Sequence, residues 1–351
     1  MAQPRTRTVA AVILFLGATG WSGCASHTPL LECDAFGNVT PFCGFQNPED
    51  LVDLGPDWIL VSQMTLAGTP GNLLAFRPAD GTRRVLWPTG GMETPAEDTG
   101  TCSPPPVDAF APHGIDLSRD RRTLLVVNHG GREAVERFAV AQRNGAPTLT
   151  WTDCIPFDNG AMLNDVASLP DGGFLATQMV SQSAFAPLGL VLGLDTGRVW
   201  HWSAETGIRA IPGSEGNGPN GIAVSPDGET IFFAEWGQSQ LIRLRRDGSD
   251  RREIPLGFHP DNLSWTADGR VLAGGQITGP IEATGCFELM EGGCSLASAV
   301  ALVDPGMLGV RRILTHDPAT AVGGVSSALA RGDVIWLGAF GGDRIGWIPA
   351  D

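Results

Sequence analysis

Six short segments of this 351-residue chain each end in a turn that contains an aspartate, and the turns recur about every 55 residues. Asp and Gly are favoured in tight turns, and such turns commonly join two short β-strands. A repeat of this length holds four strands with their loops, which is the size of one propeller blade. The turn residues are Asp57, Asp120, Asp171, Asp227, Asp268 and Asp333. The spacing therefore predicts an all-β fold, a six-bladed β-propeller.

Short apolar runs support this prediction. Leu124–Val127 and Val334–Leu337 have the length and composition of buried strands. No long stretch repeats apolar residues every 3.6 positions between helix caps, so we expect few helices. A pair of β-sandwiches is the alternative, but it gives no reason for the metal-ligand residue types found at the strand starts.

The N-terminus carries an export signal. Arg5 and Arg7 precede an apolar run, residues 9–18, that is too short to span a bilayer. We therefore expect a signal peptide at residues 1–24 and a single domain at residues 25–351. Small residues before Cys24 also resemble a lipoprotein processing site, so a lipid anchor at Cys24 and plain secretion both remain open. The predicted location is periplasmic, secreted or lipid-anchored.

The cysteines after Cys24 are even in number, as an oxidised exported protein would have. They are Cys33, Cys43, Cys102, Cys154, Cys286 and Cys294. This number predicts three disulfides. Short loops favour Cys33–Cys43 and Cys286–Cys294, which leaves Cys102–Cys154 as the third pair.

The net charge of −15 limits the partners. Nucleic acid and anionic membrane surfaces both attract basic patches, so neither is an expected partner. Membrane contact is expected only through the possible lipid anchor.

Five of the six segments begin with an oxygen or imidazole side chain roughly five to eight residues before the turn. Residues at matched places in successive repeats converge on the axis of a radial fold. Amide and carboxylate oxygens together suit Ca²⁺ better than Mg²⁺ or a transition metal. The candidate ligands are Glu49, Asn164, Asn220, Asp261 and Asn262, and a second carboxylate pair, Asp50 and Asp165, could hold another ion.

Two histidines in the second repeat are symmetric about a predicted hairpin turn. His113 and His129 each lie eight positions from Arg121. We expect the two imidazoles to face each other at the open end of the hairpin, where they either relay a proton or form a structural pair.

Several of these segments resemble the paraoxonase (arylesterase) family of six-bladed propellers. The matching sequences, from about Glu49 onward, are NPEDLVDLGPD, FAPHGIDLSRDRRTLLVVNH, MLNDVASLPDG, GPNGIAVSPDGETIFFAE and HPDNLSWTADG. The resemblance implies that the five candidate ligands bind a catalytic Ca²⁺. It also implies that Asp50, Asp165 and the carbonyl of Ile115 bind a structural Ca²⁺, and that His113 and His129 form the family's proposed dyad.

The chain departs from that family in two respects. The family links its first and last strands by a disulfide, whereas the last cysteine here is Cys294, so strand pairing alone should close the propeller. The pocket aromatics of the family are not matched, and the chain contains no Tyr. The related gluconolactonase group shares the propeller and the metal but lacks the histidine hairpin.

The sequence therefore predicts an exported, calcium-dependent hydrolase that acts on a small-molecule lactone or aryl ester. Either an activated water or the carboxylate of Asp261 would attack the carbonyl. One alternative is a non-catalytic propeller that Ca²⁺ stabilises while it binds a ligand or a protein. Another is a sugar lactonase of the gluconolactonase type.

Overall fold

The computed structural model describes residues 28–65, 70–89, 102–183, 185–287, 289, 291–317 and 319–350. The predicted signal peptide and Cys24 lie outside the described residues. The described residues contain 24 strands in six four-stranded antiparallel sheets. The six-bladed β-propeller is confirmed, and the alternative of two β-sandwiches is wrong.

The first strand, β1 (Thr40–Cys43), pairs at the outer edge of the last blade. Each of the other five blades is one continuous stretch of four strands, starting with the strand nearest the axis. Blade 1 contains β2 (Pro48–Asp53), β3 (Ile59–Gln63), β4 (Asn72–Arg77) and β5 (Thr82–Trp87). Blade 2 contains β6 (Pro112–Leu117), β7 (Thr123–Asn128), β8 (Ala134–Arg143) and β9 (Ala146–Pro156). Blade 3 contains β10 (Ala161–Ser168), β11 (Phe174–Ser181), β12 (Arg198–Ser203) and β13 (Gly207–Ala210).

The remaining three blades repeat this arrangement, and blade 6 takes β1 as its fourth strand. Blade 4 contains β14 (Pro219–Val224), β15 (Thr230–Glu235), β16 (Gln240–Arg245) and β17 (Arg252–Pro255). Blade 5 contains β18 (His259–Trp265), β19 (Val271–Gln276), β20 (Ser298–Val303) and β21 (Val310–His316). Blade 6 contains β22 (Val325–Arg331), β23 (Val334–Ala339) and β24 (Arg344–Pro349). The two α-helices are short, α1 (Ala186–Val191) and α2 (Pro280–Ala283), as the sequence predicted.

Six clusters of the apolar core lie between the blades, one for each pair of neighbours. Successive residues of a strand point to opposite faces of its sheet. In β7, Leu124 and Val126 therefore pack against blade 1, while Leu125 and Val127 pack against blade 3. Both faces of this strand are buried, which explains why its sequence is apolar without alternation.

All six predicted Asp turns join the innermost strand of a blade to the second strand. The Asp120 carboxylate, for example, accepts hydrogen bonds from the Ser118 hydroxyl and the Arg122 amide, which fix the turn. The inner strands therefore all run in the same direction and begin at one face of the propeller. We call this face the site face.

Closure of the ring involves more than strand pairing. β1 pairs with β24 along four residues, as expected for closure without a disulfide between the ends of the chain. In addition, the buried Arg344 guanidinium donates to the carbonyls of Glu32, Ala321 and Leu30. The expectation that strand pairing alone closes the ring is therefore incomplete.

The three predicted disulfides form, and no other pairing of these six cysteines is present. The Cα atoms of Cys33 and Cys43 lie 6.1 Å apart, those of Cys102 and Cys154 6.1 Å, and those of Cys286 and Cys294 5.7 Å. Within the described ranges, no helix is long and apolar enough to cross a membrane.

Candidate active site

The candidate site residues lie where the inner strands are irregular. All six inner strands have a break in pairing register near their start, at Glu49 in β2 and at the matching place in each other blade. A β-bulge turns a side chain out of the ladder direction, and bulges are common beside active sites. The residues within these breaks are Glu49, His113, Gly114, Asn164, Asp165, Asn220, Gly221, Asp261, Asn262 and Ser326.

All five predicted ligands of the catalytic ion are buried, with exposed fractions of 7% or less. The three amides direct their NH₂ groups to neighbouring acceptors. Asn164 Nδ2 lies 3.8 Å from Met179 Sδ, Asn262 Nδ2 donates to Glu49 Oε1 at 2.5 Å, and Asn220 donates to Asp261. These contacts use the amide NH₂ groups and leave the amide oxygens to accept from other partners.

Four buried oxygens in this set accept no hydrogen bond: Glu49 Oε2 and the Oδ1 atoms of Asn164, Asn220 and Asn262. A buried polar atom without a partner costs about 1–3 kcal/mol, so such atoms are rare in folded proteins. Four such atoms lie near the starts of four different inner strands, and together they suit a hard cation. The residues present therefore fit Ca²⁺, which prefers carboxylate and amide oxygens. Among the described residues, no group of three or more His, Cys, Asp or Glu side chains is arranged to hold a metal ion.

The two carboxyl groups in this set both have raised pKa values. Burial, with the charges of Asp50 and Asp261, raises the pKa of Glu49 well above its usual range. Burial raises the pKa of Asp261 to about 7, although Gln276 and Asn220 donate hydrogen bonds that favour the ionised form. Buried acids with raised pKa values are common at functional sites. A dication would relieve this repulsion.

The predicted structural site contains a second group of buried acids. Asp50 accepts hydrogen bonds from the amides of Leu51 (2.8 Å) and Ile115 (2.9 Å). Asp165 accepts from the amides of Val166 (2.7 Å) and Ile222 (2.8 Å). Both carboxylates thus join their own blade to the next one. The Ile115 amide takes part here, whereas the sequence prediction for Ile115 concerned its carbonyl.

These acids are also close enough to affect one another. Burial raises the pKa of Asp50 to about 7, and burial followed by the charge of Asp50 raises the pKa of Asp165. Burial also raises the pKa of Asp116 to about 6. Each carboxylate oxygen has a second lone pair, so backbone bonding leaves room for a cation.

The two predicted histidines are in direct contact. His113 Nδ1 lies 2.9 Å from His129 Nε2, and His129 Nδ1 lies 2.9 Å from Glu133 Oε2. The other Glu133 oxygen accepts from the Leu163 amide at 2.7 Å. His113 Nε2 lies 3.8 Å from Glu49 Oε1, so the pair ends at the candidate metal ligands.

The bonding partners assign the tautomers. A carboxylate accepts but does not donate, so His129 Nδ1 carries a proton, and when this ring is neutral its Nε2 is an acceptor. His113 Nδ1 must then donate to it, which leaves His113 Nε2 with a free lone pair facing the site. Burial and the charge of His129 lower the pKa of His113 to about 3. For His129, burial opposes charging, but the charge and hydrogen bond of Glu133 outweigh it and raise the pKa.

An apolar cluster adjoins the site on the site face. Its buried members come from several blades and from the loop closed by Cys286–Cys294, with more exposed residues at its edge. The buried members are Met64, Trp236, Ala283, Cys286, Cys294, Leu296 and Phe340, and the edge residues are Met179, Leu190, Phe287 and Leu289. We call this set the mouth cluster. It reaches the candidate ligands through Met179, which contacts Asn164.

The family model for arylesterases matches residues 66–280, more than half of the chain. The chain belongs to the arylesterase family. The matched range includes the histidine pair and every candidate ligand except Glu49 and Asp50. No curated protein matches the sequence.

Solved structures with the same fold are distant in sequence. A luciferin-regenerating enzyme is 13% identical, with a TM-score of 0.55, and the match covers 88% of this chain and 92% of that one. A gluconolactonase from Xanthomonas campestris is 17% identical, with a TM-score of 0.54, and the match covers 93% and 98% of the two chains. At these identities the likeness shows the propeller fold and no more.

Sequence reasoning missed Glu133. It lies in the loop between β7 and β8, four residues after His129. The spacing alone gave no signal, because only the loop conformation brings the carboxylate onto the imidazole. An acidic residue shortly after a predicted relay histidine was the one available clue.

Proposed function

We propose that this arylesterase-family protein is a calcium-dependent hydrolase of apolar lactones or aryl esters that acts outside the reducing cytosol. One observation carries the proposal: four buried oxygens of the candidate ligands accept no hydrogen bond, and an imidazole nitrogen with a free lone pair lies 3.8 Å from Glu49, one of those ligands. The oxygens suit a hard cation, and the imidazole suits the removal of a proton.

Glu49, Asn164, Asn220, Asp261 and Asn262 would hold the ion. When bound, Ca²⁺ supplies a Lewis acid that polarises the substrate carbonyl and stabilises the developing oxyanion. The two carboxylates would balance the charge of Ca²⁺ and the three amides are neutral, so the occupied site would be close to neutral overall. Such a site suits an uncharged ester.

The histidine pair would move the proton. A water beside His113 Nε2 gives up its proton as it attacks the substrate carbonyl. An imidazole with a pKa of about 3 is a weak base by itself. As His113 Nε2 gains the proton from water, His113 Nδ1 passes its own proton to His129 Nε2 through their hydrogen bond. His129 can accept it because Glu133 raises the pKa of His129.

Asp261 offers a second route. Its carboxylate lies among the candidate ligands and has a pKa raised to about 7 by burial. It would attack the carbonyl directly and form an acyl intermediate as the alcohol or phenol oxygen leaves, and water would then hydrolyse that intermediate. Alternatively, it would accept the proton from the attacking water. The two routes differ in what His113 contributes, so substitution of His113 separates them.

The mouth cluster favours an apolar substrate. The side chains Met64, Trp236, Leu296 and Phe340 would contact an alkyl chain or an aromatic ring. A sugar lactone presents hydroxyl groups that need hydrogen-bonding partners, and burial of unpaired hydroxyls is costly. This composition therefore favours aryl esters and alkyl lactones over the gluconolactonase alternative.

Three disulfides support an exported location, because disulfides persist in oxidising compartments. The signal peptide at residues 1–24 and the lipid anchor at Cys24 remain part of this proposal.

The test is a substrate panel with and without chelator. Phenyl acetate, an alkyl-substituted lactone, gluconolactone and a phosphotriester would be assayed in Ca²⁺ and in EGTA. We expect hydrolysis of the first two, weaker hydrolysis of gluconolactone, and loss of activity in EGTA. No hydrolysis of any ester or lactone in Ca²⁺ would support the non-catalytic alternative instead.

A further inference from the structure

Gln276 is a buried side chain that contacts the site from outside the set of predicted ligands. It is the last residue of β19 and is 1% exposed. Its Nε2 donates to Asp261 Oδ2 at 2.7 Å and to the Val325 carbonyl at 2.7 Å. Its Oε1 accepts from the Trp236 indole at 2.9 Å. The carboxamide thus joins blade 5 to residues of both neighbouring blades.

The chemistry of these partners fixes the orientation of the amide. An indole N–H only donates, so it must face the amide oxygen. The carbonyl of Val325 only accepts and the Asp261 carboxylate accepts, so both must face the amide NH₂. A flipped Gln276 would lose all three bonds. Trp236 thereby determines which atom of Gln276 faces Asp261.

Trp236 is itself held in place. Its carbonyl contacts His259 Nδ1 at 2.6 Å, and the two rings lie 4.6 Å apart. The indole also belongs to the mouth cluster. A single side chain therefore packs in the mouth cluster and, through Gln276, is connected to the candidate ligand Asp261.

Blade 3 contains a similar pair that lacks this connection. The Trp200 indole donates to Gln178 Oε1 at 2.9 Å, and Gln178 is also at least nine-tenths buried. Among the hydrogen bonds of the described residues, none joins Gln178 to a candidate ligand. The Gln178–Trp200 pair is thus a matched control within the same chain.

We propose that Gln276 is a positioning residue that fixes the Asp261 carboxylate for the ion and the substrate, and that the Trp236 indole holds Gln276 in the working orientation. This inference rests on the proposed function for its consequence, because Asp261 acts there as a ligand. The contact itself is independent of any ion.

The first test measures Ca²⁺ affinity by titration calorimetry, together with kcat and KM. Gln276→Met keeps the side-chain length and removes both N–H donors. It should weaken Ca²⁺ binding about tenfold to a hundredfold, which is the typical effect of losing a residue that supports a metal ligand. Trp236→Phe keeps the ring and removes the N–H, and it should weaken binding by a smaller factor. Gln178→Met and Trp200→Phe should leave affinity unchanged. Wild-type affinity in Gln276→Met, with calcium binding intact in the parent, would overturn the proposal and leave the proposed function standing.

The second test needs no metal. In EGTA, the indole resonances of ¹⁵N-tryptophan-labelled protein would be assigned to Trp236 and Trp200 from the two Phe variants. Asp261→Ala should shift the Trp236 resonance, because Gln276 loses an acceptor, and should leave the Trp200 resonance in place. An unmoved Trp236 resonance would refute the positioning role. Absence of calcium binding in the parent protein would count against the proposed function alone, since this spectrum still decides the role of Gln276.

Discussion

The chemistry of the site depends on single oxygen atoms that accept no hydrogen bond. Asn164 illustrates this, because its NH₂ faces Met179 Sδ and its oxygen faces no donor. The same division of donor and acceptor recurs at Asn262, whose NH₂ faces Glu49. An amide bound in this way presents an oxygen and no hydrogen to the axis, which is what a hard cation needs.

Removal of one such oxygen should act like a chelator. Asn164→Ala and Asp261→Ala should lower Ca²⁺ affinity and activity together, because each removes an oxygen of the catalytic set. Asp50→Ala should mainly lower the unfolding temperature, because Asp50 joins β2 to the Ile115 amide of the next blade. Calorimetry and thermal unfolding separate the two effects. Wild-type Ca²⁺ affinity in Asn164→Ala would contradict the ligand assignment.

The histidine pair gives a second prediction at this scale. His113→Gln should lower kcat on lactones at least tenfold, since general-base assistance is worth about 10²–10⁴-fold. Ca²⁺ affinity should stay near the parent value, because no imidazole is a proposed ligand. His129→Gln should have a smaller effect in the same direction.

Glu133→Gln should also lower kcat, since the carboxylate that assigns the His129 tautomer is lost. Glu253→Gln, at a side chain that is 62% exposed, is the matched control. Parent turnover in His113→Gln would place the base elsewhere, with Asp261 the leading candidate.

At the scale of the strands, glycines allow the inner strands to approach closely beside the ligands. A Cβ atom at Gly221 would lie 2.3 Å from the Asp261 carbonyl oxygen and 2.4 Å from Asn262 Cα. A Cβ atom at Gly114 would lie 2.3 Å from Asp165 Oδ1. The Asn-Gly and His-Gly pairs are therefore packing features of the inner strands.

Gly221→Ala should consequently push β14 away from β18 at the metal ligands. Overpacking of this kind costs about 1–3 kcal/mol of unfolding free energy. We expect both a lower unfolding temperature and weaker Ca²⁺ binding. Gly309→Ala is the control, because a Cβ atom there meets nothing within 4 Å. Equal stability of the two variants, measured by denaturant unfolding, would contradict this account.

The sequence predicted the elements better than their detailed contacts. The Asp turns located the strand pairs because turn chemistry is local, and the hairpin arithmetic around Arg121 brought His113 next to His129 correctly. The register breaks were not predictable, because a bulge depends on how two strands pair. Gln276 was also missed, since its role depends on Trp236 from a different blade.

At the scale of the whole molecule, the propeller brings several buried carboxylic acids together at its axis. The folded-state pKa values of Asp50 and Asp261 are about 7 and that of Asp116 is about 6, against an ordinary value of 3.8. Between pH 4 and 7, these three acids therefore hold more protons in the metal-free folded protein than in the unfolded chain. Their contribution to stability falls as the pH rises through that window.

Calcium should reverse this dependence. In EGTA, we expect a higher unfolding temperature near pH 5.5 than near pH 8. In saturating Ca²⁺, the ion competes with protons for the same carboxylates, so stability should rise toward pH 8. Thermal unfolding across this range in both buffers makes the comparison. Parallel pH profiles would mean that these acids do not bind the ion.

The most direct measurement of the central claim is a calcium titration of chelator-stripped protein, followed by thermal unfolding and by hydrolysis of an alkyl lactone. A ligand that binds only the folded state at a hundredfold excess over Kd adds about 2.7 kcal/mol of stability. The unfolding temperature should therefore rise with calcium concentration, and hydrolysis should return over the same range. An unchanged unfolding temperature together with full activity in excess EGTA would contradict the axial calcium site.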